Sequence, residues 1–268
     1  MSNTRALIDA LHANIARHDS ALVAFSAGID STLVLKLAHD VLGDRALGVI
    51  GRSPSVPPLE LEHAHTLAQE IGARLRVVDT HEMSDPNYAS NPNDRCFFCK
   101  QELYDVCHQV AAEERVSTIL NGTNADDPGD WRPGLRAADL AEVASPLLEC
   151  GLHKQEVRDV ARALGLSNWN KPALACLASR LPHGTQVTPE RLQAVDQVEQ
   201  LLRAKGFRDV RARHLGRTVS LEVDVARTQE LRALLDAGAL AEVLAQTGFQ
   251  EAQVAADGYK TGRLNPSS

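Results

Sequence analysis

The chain has 268 residues, 44% of them hydrophobic and 24% charged, with a net charge of −7 and only 4% aromatics. That length suffices for two modest domains with a sizeable core, and the acidic balance excludes a general nucleic-acid or anionic-membrane surface. No apolar stretch approaches a membrane span and the N-terminus lacks a signal-peptide apolar region, so a cytoplasmic location is expected, where five cysteines argue for metal or catalysis before disulfides.

Residues 4–18 carry Ile8, Leu11 and Ile15 on one helical face. A βα alternation follows: strand 21–25, helix 31–42, strand 46–50, helix 58–71 stopped by Gly72, and strand 75–79. Beyond a cysteine-bearing segment come helix 100–113, strand 117–121, a loop, strand 143–148 and helix 153–164 stopped by Gly165. Short apolar strands alternating with helices predict a parallel sheet covered on both faces, with ligands beyond the carboxyl ends of its strands. Two prolines and a glycine in LPHGTQVTP mark a linker near residue 182. Helix 189–204, strands 208–214 and 218–224, helix 227–246 and strand 250–256 then form a small α+β unit, and the GYKTGRLNPSS tail is expected to be irregular. The predicted division is therefore 1–182, an α/β domain, and 183–268, a small α+β domain.

Four segments carry chemistry. The first is Ser26-Ala27-Gly28-Ile29-Asp30-Ser31-Thr32, a small-residue turn between strand and helix. Backbone N–H groups and the helix dipole there favour an anion, the hydroxyls add donors, and Asp30 suits magnesium. It lacks the lysine of the Gly-x-x-x-x-Gly-Lys-[Ser/Thr] phosphate loop. It resembles instead the SGGxDS loop of enzymes that split ATP into AMP and pyrophosphate, with Ala27 replacing one glycine.

The second is Arg95-Cys96-Phe97-Phe98-Cys99-Lys100, a Cys-x-x-Cys turn whose cationic neighbours favour thiolates. Its best partner is Cys176 in KPALACLASR, beside Arg180. Three thiolates suit a four-iron cluster with one open iron; three thiolates with His183 would suit a structural zinc, and a redox disulfide between Cys96 and Cys99 is the third alternative. Cys107 and Cys150 read as small buried residues. The third segment is Asn121-Gly122-Thr123-Asn124-Ala125-Asp126-Asp127, followed by Asp130-Trp131-Arg132-Pro133-Gly134. It lies on the ligand edge, where Thr123, Asp126 and Asp127 reach a metal on bound ATP. The fourth is Arg211-Ala212-Arg213. Strand geometry puts both guanidinium groups on one face, roughly 7 Å apart at the backbone, suited to clamping a phosphate. Glu199 falls on the apolar stripe of Leu192, Val195, Val198 and Leu202, so it needs a partner, and Arg211 or Arg213 is the natural one.

SAGIDS, DRCFFCK, NGTNADD with DWRPG, and KPALACLASR followed by PHG and RAR together resemble the LarE family over nearly the whole chain. These are ATP-dependent sulfur transferases that make the organic part of the nickel-pincer nucleotide. The resemblance implies an α/β fold, a parallel-sheet adenine nucleotide α-hydrolase-like (PP-loop ATP pyrophosphatase) domain followed by a small α+β C-terminal domain, typically in a homo-oligomer. The implied substrate is the small molecule pyridinium-3,5-biscarboxylic acid mononucleotide, with ATP and Mg²⁺, and with neither nucleic acid nor membrane as partner. Adenylation turns each carboxylate into an acyl group with an AMP leaving group, which sulfur then attacks. Family members either sacrifice the sulfur of the cysteine matching Cys176 or hold a [4Fe-4S] cluster on three cysteines. Having Cys96, Cys99 and Cys176, this chain resembles the cluster type, with Ser26, Ala27, Gly28, Asp30 and Ser31 at the pyrophosphate, Arg180 steadying developing charge, and Arg211 and Arg213 on the substrate phosphate. A tRNA thiolase of the same loop needs a basic RNA face, which the net charge does not provide. An amidating synthetase needs an ammonia source, and the complete loop together with three thiols speaks against a non-catalytic ATP-binding or metal-sensing protein.

Overall fold

The structure is a computed structural model that describes residues 2–127, 133–171, 175–260 and 263. In chain order its elements are α1 (Ser2–Ile15), β1 (Ala21–Ala24), α2 (Ile29–Leu42), β2 (Ala46–Arg52), α3 (Pro58–Ile71), β3 (Arg74–Asp79) and α4 (Pro86–Ala89). Then come α5 (Arg95–Glu114), β4 (Thr118–Leu120), α6 (Pro133–Leu140), α7 (Pro146–Glu149), α8 (Lys154–Ala163) and α9 (Pro189–Ala204). The chain closes with β5 (Arg211–Leu215), β6 (Thr218–Glu222), α10 (Thr228–Asp236), α11 (Ala241–Thr247) and β7 (Glu251–Val254). They form two compact units, Met1–Glu82 with Asp94–Leu174, and Met83–Asn93 with Ala175–Ser268.

In the first unit four strands pair in parallel in the order β3-β2-β1-β4. Strand period 2 divides β1 between two cores. Ala21, Val23 and Phe25 face one with Leu11 and Ile15 of α1, Leu33 and Leu37 of α2, and Val157 and Val160 of α8. Leu22 and Ala24 face the other with Phe97, Tyr104, Cys107 and Val110 of α5 and Ala137 and Ala138 of α6. Strand order reverses at β1, between neighbours β2 and β4, and such a switch point opens a crevice at the strands' carboxyl ends.

Two predicted elements differ. No strand spans 143–148: Leu120 and Ala144 make one parallel bridge, and α7 begins at Pro146. Proline brings no N–H to a ladder but suits the first turn of a helix. The cysteine segment is helical too, since α5 begins at Arg95 rather than residue 100.

In the second unit β5 pairs antiparallel with β6, and β6 parallel with β7. The predicted helix 227–246 is broken at Gly238, whose φ of 72° is left-handed. Asn91, buried and itself left-handed, donates its side-chain amide to the carbonyls of Leu181, Pro182 and Thr185. That clasp, with Gly184 N–H to Asn91 O and Val187 N–H to Ala89 O, fixes the stretch around residue 182 onto the segment 83–93.

Candidate functional site

In the first unit the loop after β1 is built around Ser31. Its Oγ accepts from the Ser26 N–H at 3.1 Å, lies 3.2 Å from Ser26 Oγ, and donates to Gly28 O at 3.1 Å. Thr32 Oγ1 also donates to Gly28 O, at 2.8 Å, so a hydroxyl lattice holds the N-terminus of α2 open. Ala27 has φ 55°, the left-handed region glycine takes freely, at a cost of about 1–2 kcal/mol for a residue with a Cβ. Asn168 offsets this strain by donating to Thr32 Oγ1 at 2.9 Å and to Ala27 O at 3.4 Å.

The loop after β4 lies against this one. A Cβ on Gly122 would stand 2.6 Å from Ser31 N and 2.8 Å from the Asp30 carbonyl carbon, so only glycine fits. Asn124 donates to Asp30 Oδ1 at 3.1 Å, and its own N–H donates to Asp127 Oδ2 at 3.0 Å. Thr123 lends its carbonyl to Leu148 N–H and its N–H to Asn121 Oδ1. Asp130, Trp131 and Arg132 lie outside the described residues.

Two residues that sequence reasoning missed complete the cluster. Lys154, opening α8, donates to Asp30 Oδ2 at 2.5 Å. Its neighbour His153 meets Asp126 Oδ1 at 2.6 Å, and Asp126 Oδ2 accepts the Lys154 N–H at 2.7 Å. The His153 hydrogen bond, then the Lys154 N–H, lower the Asp126 pKa, and the same contact raises that of His153. The available signal was position: Lys154 opens a helix whose preceding loop runs back to β4. Asp30, Asp126 and Asp127 are hard oxygen donors of the kind Mg²⁺ takes.

Cys96 lies in the first turn of α5 and Cys99 opens the second, Cys96 exposed and Cys99 half-buried. Burial opposes charge on the adjacent Lys100, but Tyr104, Cys99, Cys107 and Cys96 outweigh it and raise its pKa, keeping a cation beside the thiols. Gly134 lets α6 approach this turn, with its Cβ position 3.0 Å from Lys100 Cγ and 3.7 Å from Cys96 O. Tyr104, one turn on, accepts from Asn121 Nδ2 at 3.4 Å and thereby links α5 to the loop after β4.

The second unit holds the other candidates. Cys176, half-buried, precedes a 3₁₀ turn, Leu177–Arg180. Arg180 is 1% exposed and all three of its guanidinium nitrogens are engaged. Nε and Nη2 grip Glu199 at 2.8 and 3.1 Å, while Nη1 donates to Ala175 O, Cys176 O and Ser179 Oγ. Glu199 is fully buried as its stripe position implied, but its partners are Arg180, Arg203 and the Ala212 N–H, not Arg211 or Arg213. Burial pushes the Glu199 pKa up, and the Arg180 hydrogen bonds and charge override it, leaving a net lowering. Asp196, one turn earlier, was also missed; burial raises its pKa. Arg211 and Arg213 both lie on β5 and are buried. Arg213 is held by Glu222, at 3.2 and 3.1 Å, and by Ser179 O. Arg211 packs on the Tyr259 ring instead. His183 Nδ1 sits 3.1 Å from Pro92 O.

All five cysteines are thiols. Cys96, Cys99 and Cys176 are each at least partly open to solvent, and three such thiols have the donor chemistry of a [4Fe-4S] cluster with one open iron. Among the described residues, no three His, Cys, Asp or Glu side chains gather at metal-binding spacing. No helix of the described residues is long and apolar enough to cross a membrane.

A parallel sheet with a serine-rich anion loop at its switch point, closed by a second loop bearing carboxylates, defines a PP-loop domain of the ATP pyrophosphatase class. The NAD synthase family profile matches residues 4–95. An uncharacterised protein of Synechocystis is 41% identical over 92% of this chain and 92% of its own. The pyridinium-3,5-bisthiocarboxylic acid mononucleotide synthase of Lactiplantibacillus plantarum is 36% identical over 91% of this chain and 88% of its own. One subunit of the glutamine-hydrolysing GMP synthase of Methanopyrus kandleri is 26% identical over 68% of this chain and 62% of its own. The chain belongs to the LarE family.

Proposed function

We propose that this chain is an ATP-dependent sulfur transferase that adenylates the carboxylates of pyridinium-3,5-biscarboxylic acid mononucleotide and converts them to thiocarboxylates. The observation that carries the reading is the joined pair of loops at the switch point. Gly122 packed on Ser31, with Asn124 and Lys154 both donating to Asp30 and the Lys154 backbone tied to Asp126, supports a site for a triphosphate in a LarE-family chain.

The α2 N-terminus and the hydroxyls of Ser26 and Ser31 receive the pyrophosphate portion, while Asp30, with Asp126 and Asp127 on the loop after β4, would supply carboxylate oxygens to Mg²⁺. Lys154, parked on Asp30, supplies the cation the loop itself lacks. Its ammonium, beside Asp30 at the mouth of the loop, would stabilise the charge of the departing pyrophosphate. Of the two arginines assigned to the substrate's phosphate, Arg211 takes it, since Arg213 is committed to Glu222 and Ser179 O, and binding that remote group orients the carboxylate without touching the reacting bond. Arg180, with its donors committed, acts on Cys176 through the backbone: it fixes the Cys176 carbonyl and so the direction of its thiol. A [4Fe-4S] cluster on Cys96, Cys99 and Cys176 would supply a sulfide as the sulfur nucleophile.

The test is anaerobic purification with iron and sulfide analysis, followed by turnover with Mg·ATP and the biscarboxylate mononucleotide. Pyrophosphate release should require both substrates and fall at least tenfold in Lys154→Ala, as expected when one charge-stabilising donor is lost. About four irons per chain should be present and disappear in Cys96→Ala. Loss of ~34 Da at Cys176, the mass of H2S, would move the sulfur source to that cysteine. Pyrophosphate release indifferent to the dicarboxylate would overturn the reading.

A further inference from the structure

The second unit contains three deeply buried arginines, and they are neutralised in two different ways. Arg180 and Arg213 each face a carboxylate, Glu199 and Glu222. Among the described residues no carboxylate ion-pairs with Arg211, which is 5% exposed; its one hydrogen bond goes from Nη1 to the neighbouring Val210 carbonyl at 2.9 Å. Its guanidinium carbon instead lies 5.0 Å from the centre of the Tyr259 ring. Burial, and then the like charge of Arg180, push the Arg211 pKa down, with the charge of Glu199 and then Tyr259 offsetting part of it.

The choice of partner has a chemical consequence. A carboxylate occupies the N–H fork of an arginine and repels an incoming anion. An aromatic face stabilises the cation through its quadrupole and takes none of the five donors. Tyr259 is also held in place by its own segment. Its N–H donates to Val223 O at 2.8 Å, and Gly258 has φ 63°, with a Cβ position only 2.7 Å from that same oxygen. Arg263 bridges Glu222, at 2.8 Å, and Asp257, at 2.8 Å, and also donates to Gly258 O. The described residues Gly258, Tyr259 and Arg263, which form neither helix nor strand as expected, are thus tied to the exit of β6.

We propose that Tyr259 is a positioning residue of the phosphate site, its ring supporting the Arg211 cation without occupying the N–H donors that a phosphomonoester would take. This rests on the reading of Arg211 as a phosphate ligand. The glycine-tyrosine turn then belongs to the substrate-binding apparatus, and Glu222 with Arg263 forms its mount.

The experiment measures binding to the full-length chain of the biscarboxylate mononucleotide and of the corresponding nucleoside without phosphate. In the wild type the mononucleotide binds more tightly. Tyr259→Leu should weaken the mononucleotide about tenfold, the size of a desolvated cation–π contact, and leave the nucleoside and the KM for ATP unchanged. Tyr259→Phe should retain wild-type preference. Stepwise fluorination of a phenylalanine at 259 keeps the volume and the fold while draining the quadrupole, so it should erode the preference in order. A preference that fluorination leaves intact overturns the role of Tyr259. If Arg211→Ala still prefers the mononucleotide as the wild type does, the phosphate reading itself fails; if Arg211→Ala loses the preference and the Tyr259 series keeps it, only the present inference does.

Discussion

At the scale of single residues, chemistry was more legible than partnership. Ala27 was visible as a departure from a glycine pattern, and its left-handed φ explains why that pattern wants glycine. Lys154 and His153 were invisible because their partners, Asp30 and Asp126, lie 124 and 27 residues away. The His153–Asp126 pair makes a pH-dependent prediction. The imidazole pKa is raised above its ordinary 6.5, so the pairing is complete below that value and fades as pH rises through the folded value. The carboxylate pKa is lowered from 3.8, so its contribution is complete above that pH and is lost only as pH falls through the folded value. Between those limits, on the proposed assignment of Asp126 to Mg²⁺, an imidazolium would compete with the metal for it. The KM for Mg·ATP should therefore fall as pH rises from about 6 to about 8, and His153→Gln should flatten the profile. An unchanged slope in that variant would remove Asp126 from the metal site.

At the scale of elements, hydrophobic period located α1, α2, α3, α9 and all seven strands within a few residues. It failed where one residue outweighed the pattern. Pro146 converted an apolar run into a helix start, Gly238 split a helix, and the cysteines joined α5 because its stripe begins at Phe97. The buried position of Glu199 on α9 followed from its place on the apolar stripe, but its partner did not. Helix spacing reports which face is covered and says nothing of which loop covers it. That loop is the one carrying Arg180, so the ion pair couples α9 to the Cys176 turn. Glu199→Gln leaves Arg180, 1% exposed, without its counter-charge, and breaking such a pair costs about 3–5 kcal/mol. Denaturant unfolding should register this, and Glu199→Leu combined with Arg180→Met should recover part of it because the pair's desolvation cost disappears too. A loss below about 0.5 kcal/mol in the single variant, the range of ordinary surface substitutions, would mean that the network does not hold the Cys176 turn.

At the scale of the whole molecule, the order of strands and helices was readable because local pattern dictates it, while the membership of residues 83–93 was not. They sit in sequence between β3 and α5 yet belong to the unit that begins again at Ala175. Their attachment depends on three carbonyls about ninety residues away, which no local pattern encodes. The five cysteines report on both units at once. Cys107 is completely buried between α5 and the sheet, and burial pushes its thiol up to about 12, with Lys100 offsetting only part of the shift. Cys150, half-buried with Sγ 3.9 Å from Ala10 O, is raised by burial and by Glu149. Cys96 is exposed and Cys99, Cys150 and Cys176 are half-buried, and because thiolate fraction and access together set the rate of attack on a disulfide reagent, the raised pKa of Cys150 slows it. Metal-free protein treated with an aromatic disulfide at pH 8 should release three fast equivalents, a slow fourth from Cys150, and a fifth from Cys107 only in denaturant. Cys107→Ser should remove that last equivalent alone, and Cys176→Ser a fast one. If Cys107→Ser instead abolished a fast equivalent in the native protein, the packing of α5 against the sheet would be wrong, and with it the placement of the Cys96 and Cys99 turn that opens the same helix.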